Sequence, residues 1–434
     1  MLKRVCTSIA LAVATMLTPA WAQSEGPTTV PNGPYGDNDS LSSLRSYEQL
    51  VQALESSVKT SQGAATLHAA HWTSNSGRTV PYVVIGNGPT AVMIVAQQHG
   101  DEMETSDSAV NLVRTLSNNS MESRTIRAAL TVIVVPRVNV DGFDGKKADG
   151  TPLTNATGTQ IPPWRENWDP RFTVNPLPAF YARGRGYDIN RYHAFRPECP
   201  LDNPNYPNIN TVAGVSTCET ADLDTKPGST YNLALGNPVP EAKNIRRLND
   251  QYKPVVVLDM HHQGTRVHDG KMVTASTLYP TAVQTADRLL GVDPGARARF
   301  DKGQTMAKRV VTLIAQTLAQ YPYADLSRYP GGTEPGISRN AYGLLGAGSV
   351  LLELRGGIGT KSGGYIQKIG FHAAHAIVRE LANDPTLMAY PPEMADVLVV
   401  PANGQGPTQG PGEAIEEGYV PGLLDEGDDF HLGN

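Results

Sequence analysis

The chain has 434 residues, a formal charge of −6 and 18% charged side chains. That mild, diffuse acidity leaves no basic footprint for nucleic acid, and no stretch approaches the roughly 20 apolar residues that cross a bilayer. The length suits one α/β unit with insertions, and 42 glycines with 33 prolines predict long loops between its elements.

The N-terminus reads Lys3-Arg4, an apolar run from Ile9 to Leu17, and Ala20-Trp21-Ala22. A positive start, a short apolar stretch and a small-x-small site predict a signal peptide over 1–22 and export to the periplasm or beyond. Of the three cysteines, Cys6 leaves with that leader. Cys199 and Cys218 share a Pro/Asn-rich loop of an exported chain, which predicts a disulfide stapling that loop. Neither has the close Cys or His spacing of a zinc site.

Residues 23–42 are rich in Pro, Gly, Ser and Asp and are expected to be a disordered linker. A catalytic unit is expected over 43–390. It opens with an amphipathic helix from Ser43 to Lys59, carrying Leu44, Tyr47, Leu50, Val51 and Leu54 on one face. Strands follow at Ala65–Trp72 and Val80–Ile85. Ala91–Ala96 is a continuous apolar run, the mark of a strand buried on both faces. Met103–Leu116 reads as a helix and Leu130–Val135 as a second buried strand. Periodicity then fails, and 143–240 is expected to be a long loop insertion. Glu241–Gln251 reads as a helix, Pro254–Met260 as a third buried strand, Thr305–Leu318 as a helix, Ser349–Leu354 as a fourth strand and Ile366–Leu381 as the last helix. Residues 401–434 carry no lysine or arginine and are expected to be an acidic disordered tail. Buried strands alternating with helices predict a three-layer α/β/α sandwich with a mixed, mostly parallel central sheet.

In such sheets, sites form at the carboxyl ends of strands. His99 follows Ala91–Ala96, His261 follows Val255–Met260, and Glu353 ends Ser349–Leu352. Three polar residues from three separate strand ends converge on one region. His99-Gly100-Asp101-Glu102 is a His-x-x-Glu at a strand-to-helix turn, a spacing that turns both side chains toward one point. Zinc accepts imidazole nitrogen and carboxylate oxygen, and catalytic sites use three protein ligands and a water. The third ligand is assigned to His261 by strand alternation, with His262 as its rival. Asp259, two residues earlier on the same face, can fix an imidazole from behind.

With those residues in place, the chain resembles the zinc metallocarboxypeptidases, the carboxypeptidase A family. His99 and Glu102 match its His-x-x-Glu, and Asn139-Val140-Asp141-Gly142 approximates its Asn-Pro-Asp-Gly turn with Val for Pro. Gly186-Tyr187-Asp188-Ile189-Asn190-Arg191 matches its Gly-x-Asp-x-Asn-Arg segment. Leu258-Asp259-Met260-His261 matches its third-ligand strand, and Ser349 to Arg355 the strand of its catalytic glutamate. The motifs fall in the family's order and span roughly Ala65 to Leu381.

The resemblance implies one Zn2+ held by His99, Glu102 and His261, with Glu353 as general base. It implies that Asn190 and Arg191 clamp a peptide's free C-terminal carboxylate. An upstream arginine would stabilise the oxyanion; Arg165 is preferred, with Arg183 as the alternative. Tyr329-Pro-Gly-Gly-Thr-Glu334 resembles the loop whose tyrosine covers the substrate and whose later residue sets specificity. On that match Tyr329 would be the cover and Glu334 would select basic C-terminal residues, unless Glu334 is a solvated loop carboxylate or pairs with Arg339.

Two decoys are set aside. His372 and His375 sit at helical spacing among apolar neighbours, and His68 and His71 lie in a strand where three-apart residues face opposite sides. The implied activity is removal of C-terminal residues from peptides. A cell-wall peptide hydrolase using the same site is the alternative. Behind it stand an inactive binding protein on this fold and a deacylase of N-acyl amino acids, the latter disfavoured by the Asn190-Arg191 pair.

Overall fold

The computed structural model describes residues 44–155, 158–159, 163–170, 182–183, 186–193, 211–212, 215–216, 239–264, 266–268, 271–289, 293–321, 324, 326–355 and 359–403. The expected leader, the 23–42 linker, Cys199, Cys218 and all of the tail after 403 lie outside these residues.

Helix α1 (Tyr47–Thr60) starts at a capping box in which Ser46 and Gln49 satisfy each other's backbone N–H groups. It buries Leu50 and Leu54 against an eight-stranded sheet. In chain order the strands are β1 (Ala65–Ala69), β2 (Pro81–Ile85), β3 (Thr90–Ala96), β4 (Leu130–Val135), β5 (Val256–Gln263), β6 (Ala275–Leu278), β7 (Leu326–Arg328) and β8 (Gly348–Arg355). Their spatial order is β1-β2-β4-β3-β5-β8-β6-β7. The four central strands β4, β3, β5 and β8 run parallel, while β2 and β6 join them antiparallel on either side. The expected mixed, mostly parallel sheet is what forms.

Strand alternation divides the core between the two faces. Val92, Ile94 and Ala96 of β3, Val256, Leu258 and Met260 of β5, and Val350, Leu352 and Leu354 of β8 point to one face. There they meet α1, α2 (Met103–Ser117), α3 (Met121–Ala129), α5 (Ala296–Leu318) and α7 (Gly359–Asn383). Met93, Val95 and Val257 point the other way, onto α4 (Pro240–Tyr252) and the Ile189 turn. Alternation places Asp259, His261, Leu351 and Glu353 on this second face too.

Several boundaries and elements differ from the sequence reading. β5 runs on to Gln263, so His261 lies within its strand rather than after it; β8 extends to Arg355, one residue beyond the expected end, with Glu353 inside it. α5 starts nine residues earlier than Thr305, at Ala296. α3, β6, β7 and the short helix α6 (Ser338–Leu344) were not read at all. Among the described residues no helix is long and apolar enough to cross a membrane.

Candidate active site

The site is built on the turn after β3. Gln97 adopts a left-handed backbone (φ 52°), unusual for a residue with a side chain. Four hydrogen bonds hold it there: its N–H to Thr105 Oγ1 (3.1 Å), its carbonyl from Asn139 N (2.9 Å), and its side chain to Gly100 O (2.9 Å) and from Arg137 Nε (2.7 Å). The reversal aims His99 across the strand ends. Gly100 then packs so tightly that a Cβ there would lie 2.4 Å from Gly142 C and from Trp164 O. The Asn139–Gly142 turn is therefore a shelf beneath the His-x-x-Glu turn. Asn139 Nδ2 also donates to the carbonyls of Arg165 (3.0 Å) and Glu166 (2.8 Å), which fixes where Arg165 leaves the backbone.

His99, Glu102 and His261 are buried and face one another, and they are the one group of three metal-ligating side chains among the described residues. His99 Nδ1 lies 2.6 Å from Glu102 Oε1, His261 Nδ1 2.9 Å from Glu102 Oε2, and the two Nδ1 atoms are 3.2 Å apart. The opposite ring nitrogens each meet an aspartate: His99 Nε2 is 3.1 Å from Asp188 Oδ1, and His261 Nε2 is 3.0 Å from Asp259 Oδ2. A carboxylate only accepts, so both rings keep a proton on Nε2 and turn the Nδ1 lone pair inward. Two lone pairs and a carboxylate this close repel one another unless a cation lies between them. Zinc bonds of about 2.0–2.1 Å in a tetrahedron set donor atoms about 3.3 Å apart; the two Nδ1 atoms stand at 3.2 Å, with the Glu102 oxygens closer, at 2.6 and 2.9 Å. The residues fit zinc.

Electrostatics agree. Burial alone would raise the Glu102 carboxyl, but His99 and His261 outweigh it and hold it well below the usual range. Burial would likewise keep His261 neutral, yet Asp259 and Glu102 draw it well above the ordinary histidine value. The pocket is built for positive charge. His262, the rival ligand, points away and pairs with Glu104 at 3.4 Å.

The remaining expected residues fall into two groups. Glu353 is buried and is the direct neighbour of His261 across the β5–β8 pairing; parallel partners share a face, so its carboxylate stands beside the metal donors. Arg165 reaches the cluster, with Nε 3.0 Å from Asp188 Oδ2 and Nη1 3.5 Å from Glu102 Oε1. The side chain of Arg183 lies outside the described residues. Asn190 and Arg191 form a short 3₁₀ turn (Ile189–Arg191) capped by Asp188. Asn190 is fully buried, with Oδ1 accepting from Ser338 N (2.9 Å) and Nδ2 3.5 Å from His261 Nε2. Arg191 Nη1 donates to Asn190 O at 3.0 Å.

Tyr329 departs from expectation. Its N–H bonds Thr277 O (3.0 Å), continuing the β6–β7 edge, and its ring is 2% exposed against Leu278 and Leu351 with the Arg266 guanidinium over it. Here its side chain is packed rather than exposed. The loop bearing Glu334 is pinned to the clamp segment, with Gly336 O accepting from His193 N (3.1 Å). The decoys behave as decoys. His372 meets the Tyr321 hydroxyl at 3.2 Å, His375 lies 3.7 Å from Glu122, and His68 stacks on Tyr82.

Sequence reasoning matched Asp188 only as part of a segment and missed Gln98 and His193 as site residues. For His193 the sequence held no signal, because its partners are remote in the chain.

Two imidazoles and a glutamate, fixed by aspartates at the carboxyl ends of parallel strands, make a catalytic zinc centre. The family model described as zinc carboxypeptidase matches residues 50–291, more than half of the sequence, and the chain belongs to that family. The match ends before β8, so the position of Glu353 rests on the strand register. Among solved structures, the chain is similar to carboxypeptidase A from Helicoverpa armigera (17% identity, 78% of this chain and 73% of that chain, TM-score 0.47). It is also similar to a metallo-carboxypeptidase from Burkholderia cenocepacia (14%, 79% and 70%, TM-score 0.43) and to bovine thrombin-activatable fibrinolysis inhibitor (16%, 78% and 96%, TM-score 0.46). No match to a curated protein was found.

Proposed function

We propose that this zinc carboxypeptidase acts on peptides with a free C-terminal carboxylate, removing the terminal residue. The observation that carries the reading is the turn at Asp188–Arg191. One short segment both fixes the expected ligand His99 through Asp188 and bears Asn190 and Arg191, so the turn that orients the metal site also carries a cation.

When bound by His99, Glu102 and His261, zinc supplies a Lewis acid that polarises a carbonyl and acidifies water. Glu353 takes a proton from the attacking water and delivers it to the departing amine. Arg165, already beside Glu102, donates to the carbonyl oxygen as negative charge grows there. Arg191 meets the terminal carboxylate with a two-pronged guanidinium, and Asn190 holds that arginine's turn in place. Glu334, two residues before the Gly336–Arg191 backbone contact, favours basic C-terminal residues over apolar ones.

The test is a pair of peptides differing only in C-terminal amidation. Losing a charge-assisted contact worth about 1.5–3 kcal/mol should lower kcat/KM roughly ten- to a hundredfold, and Arg191→Ala should erase the difference. Equal cleavage of both peptides by the parent enzyme would reject exopeptidase action.

A further inference from the structure

Behind His261, away from the metal donors, four more side chains join in a line of hydrogen bonds. Asp259 accepts from His261 Nε2. Gln98 Nε2 lies 2.8 Å from each Asp259 oxygen. Gln98 Oε1 is 2.6 Å from His193 Nε2, and His193 Nδ1 is 2.7 Å from the Tyr342 hydroxyl. All four are buried. They come from four separate segments: the turn after β3, strand β5, the end of the Ile189 turn, and α6.

The direction of every bond follows from one carboxylate. Asp259 only accepts, so Gln98 must present its amide N–H groups there and its carbonyl to His193. That carbonyl only accepts, so His193 carries its proton on Nε2 and receives the Tyr342 hydroxyl proton on Nδ1. This pattern requires a neutral His193, and burial pushes that ring down to about 4.

We propose that His193, acting through Gln98, is a positioning residue for the zinc ligand His261. The Tyr342–His193–Gln98 line locks Asp259 so that His261 keeps its proton on Nε2 and its Nδ1 lone pair on the metal side. Without the His193 donor, Gln98 Oε1 is left buried and unpaired, and its amide can rotate. Asp259 then faces a carbonyl instead of an N–H group, loses a donor, and no longer holds the ring at one angle. His193 and Tyr342 touch none of the metal donors, so their effect is transmitted and not direct. The inference rests on the zinc site alone and not on the exopeptidase reading, because its test needs no substrate.

The test uses the full chain, with zinc affinity measured by chelator competition and the visible spectrum recorded after cobalt substitution. His193→Leu should weaken zinc about tenfold, the low end for loss of a partner behind a metal ligand, and should shift the cobalt bands. His193→Gln can donate an amide N–H to Gln98 and should recover most of both. Tyr342→Phe removes only the last hydroxyl and should stay within about threefold of the parent. If His193→Leu fails to fold, Gln98→Met reads the same link, since it keeps the side-chain length and removes both hydrogen bonds. Parent-like zinc affinity and cobalt spectrum in His193→Leu or Gln98→Met would overturn the proposal. Equal weakening in His193→Leu and His193→Gln would also overturn it, because packing rather than hydrogen bonding would then be at work.

Discussion

Asp188 is the residue, not itself a ligand, whose loss should be felt most widely. It accepts from His99 Nε2 at 3.1 Å, Arg165 Nε at 3.0 Å and the Asn190 N–H at 2.9 Å. Burial would raise its carboxyl, but Arg165, Arg191 and His99 together hold it well below the usual range. Asp188→Ala removes the acceptor of all three hydrogen bonds at once. His99 loses the partner that keeps its proton on Nε2, and Arg165 loses one of its ion-pair partners. Removing a group behind a metal ligand costs about ten- to a hundredfold in metal affinity, or about 1.4–2.8 kcal/mol. Three lost contacts place Asp188→Ala near the upper end. Asp188→Asn should lie near the lower end, because one oxygen still accepts while the amide nitrogen opposes a second donor. Chelator competition gives the zinc dissociation constant, and turnover at saturating zinc separates metal loss from misplacement of Arg165. Zinc affinity within about twofold of the parent in Asp188→Ala would refute the reasoning.

Glu353→Gln should keep zinc and fold while kcat falls about 10²–10⁴-fold, as for a lost general base; near-normal turnover would remove Glu353 from the mechanism. His261→Ala should lose stoichiometric zinc and His262→Ala should retain it, since His262 pairs with Glu104; metal analysis showing the reverse would mean the wrong histidine was assigned. The buried Glu241 carboxyl is pushed up to about 8, chiefly by burial, with Asp141 and Asp169 adding, against an ordinary value of 4.5. The folded chain keeps a proton that the unfolded chain releases. Its stabilising contribution is therefore fully present below pH 4.5 and is lost as pH rises to about 8, at roughly 1.4 kcal/mol per pH unit. Glu241→Gln should flatten that slope in denaturant midpoints taken from pH 5 to 8, and parallel curves for the two proteins would count against it.

Local sequence was enough wherever burial or short spacing set the answer. Continuous apolar runs marked β3, β4, β5 and β8, because strands buried on both faces have no polar side to alternate with. The His99–Glu102 pair was legible because one turn brings both side chains to a point, and His261 was preferred to His262 because strand alternation gives neighbours opposite faces. The elements that went unread lack such a pattern. β6 is Ala-Ser-Thr-Leu, whose buried polar atoms are satisfied only by partners far along the chain: Ser276 by Ser327 at 2.8 Å and Thr277 by Leu351 O at 2.8 Å. α6 is seven residues long and buried all round, so it has no amphipathic period to detect.

Tertiary structure decided which remote residues share a site. Tyr329 looked like a cover by its neighbours in sequence, yet edge pairing to Thr277 turned it into the core. Asp188 meets His99 across 89 positions, Gln98 meets Asp259 across 161, and Glu353 stands beside His261 only because β8 pairs with β5 in that register. Hydrogen-bond direction is fixed by which acceptor arrives opposite each donor. A one-residue slip in register would send Glu353 to the opposite face while leaving the sequence pattern unchanged. Sequence thus determined the metal-binding residue types and the strands that carry them, and the packing of the sheet determined which base, which arginine and which aspartates reach them.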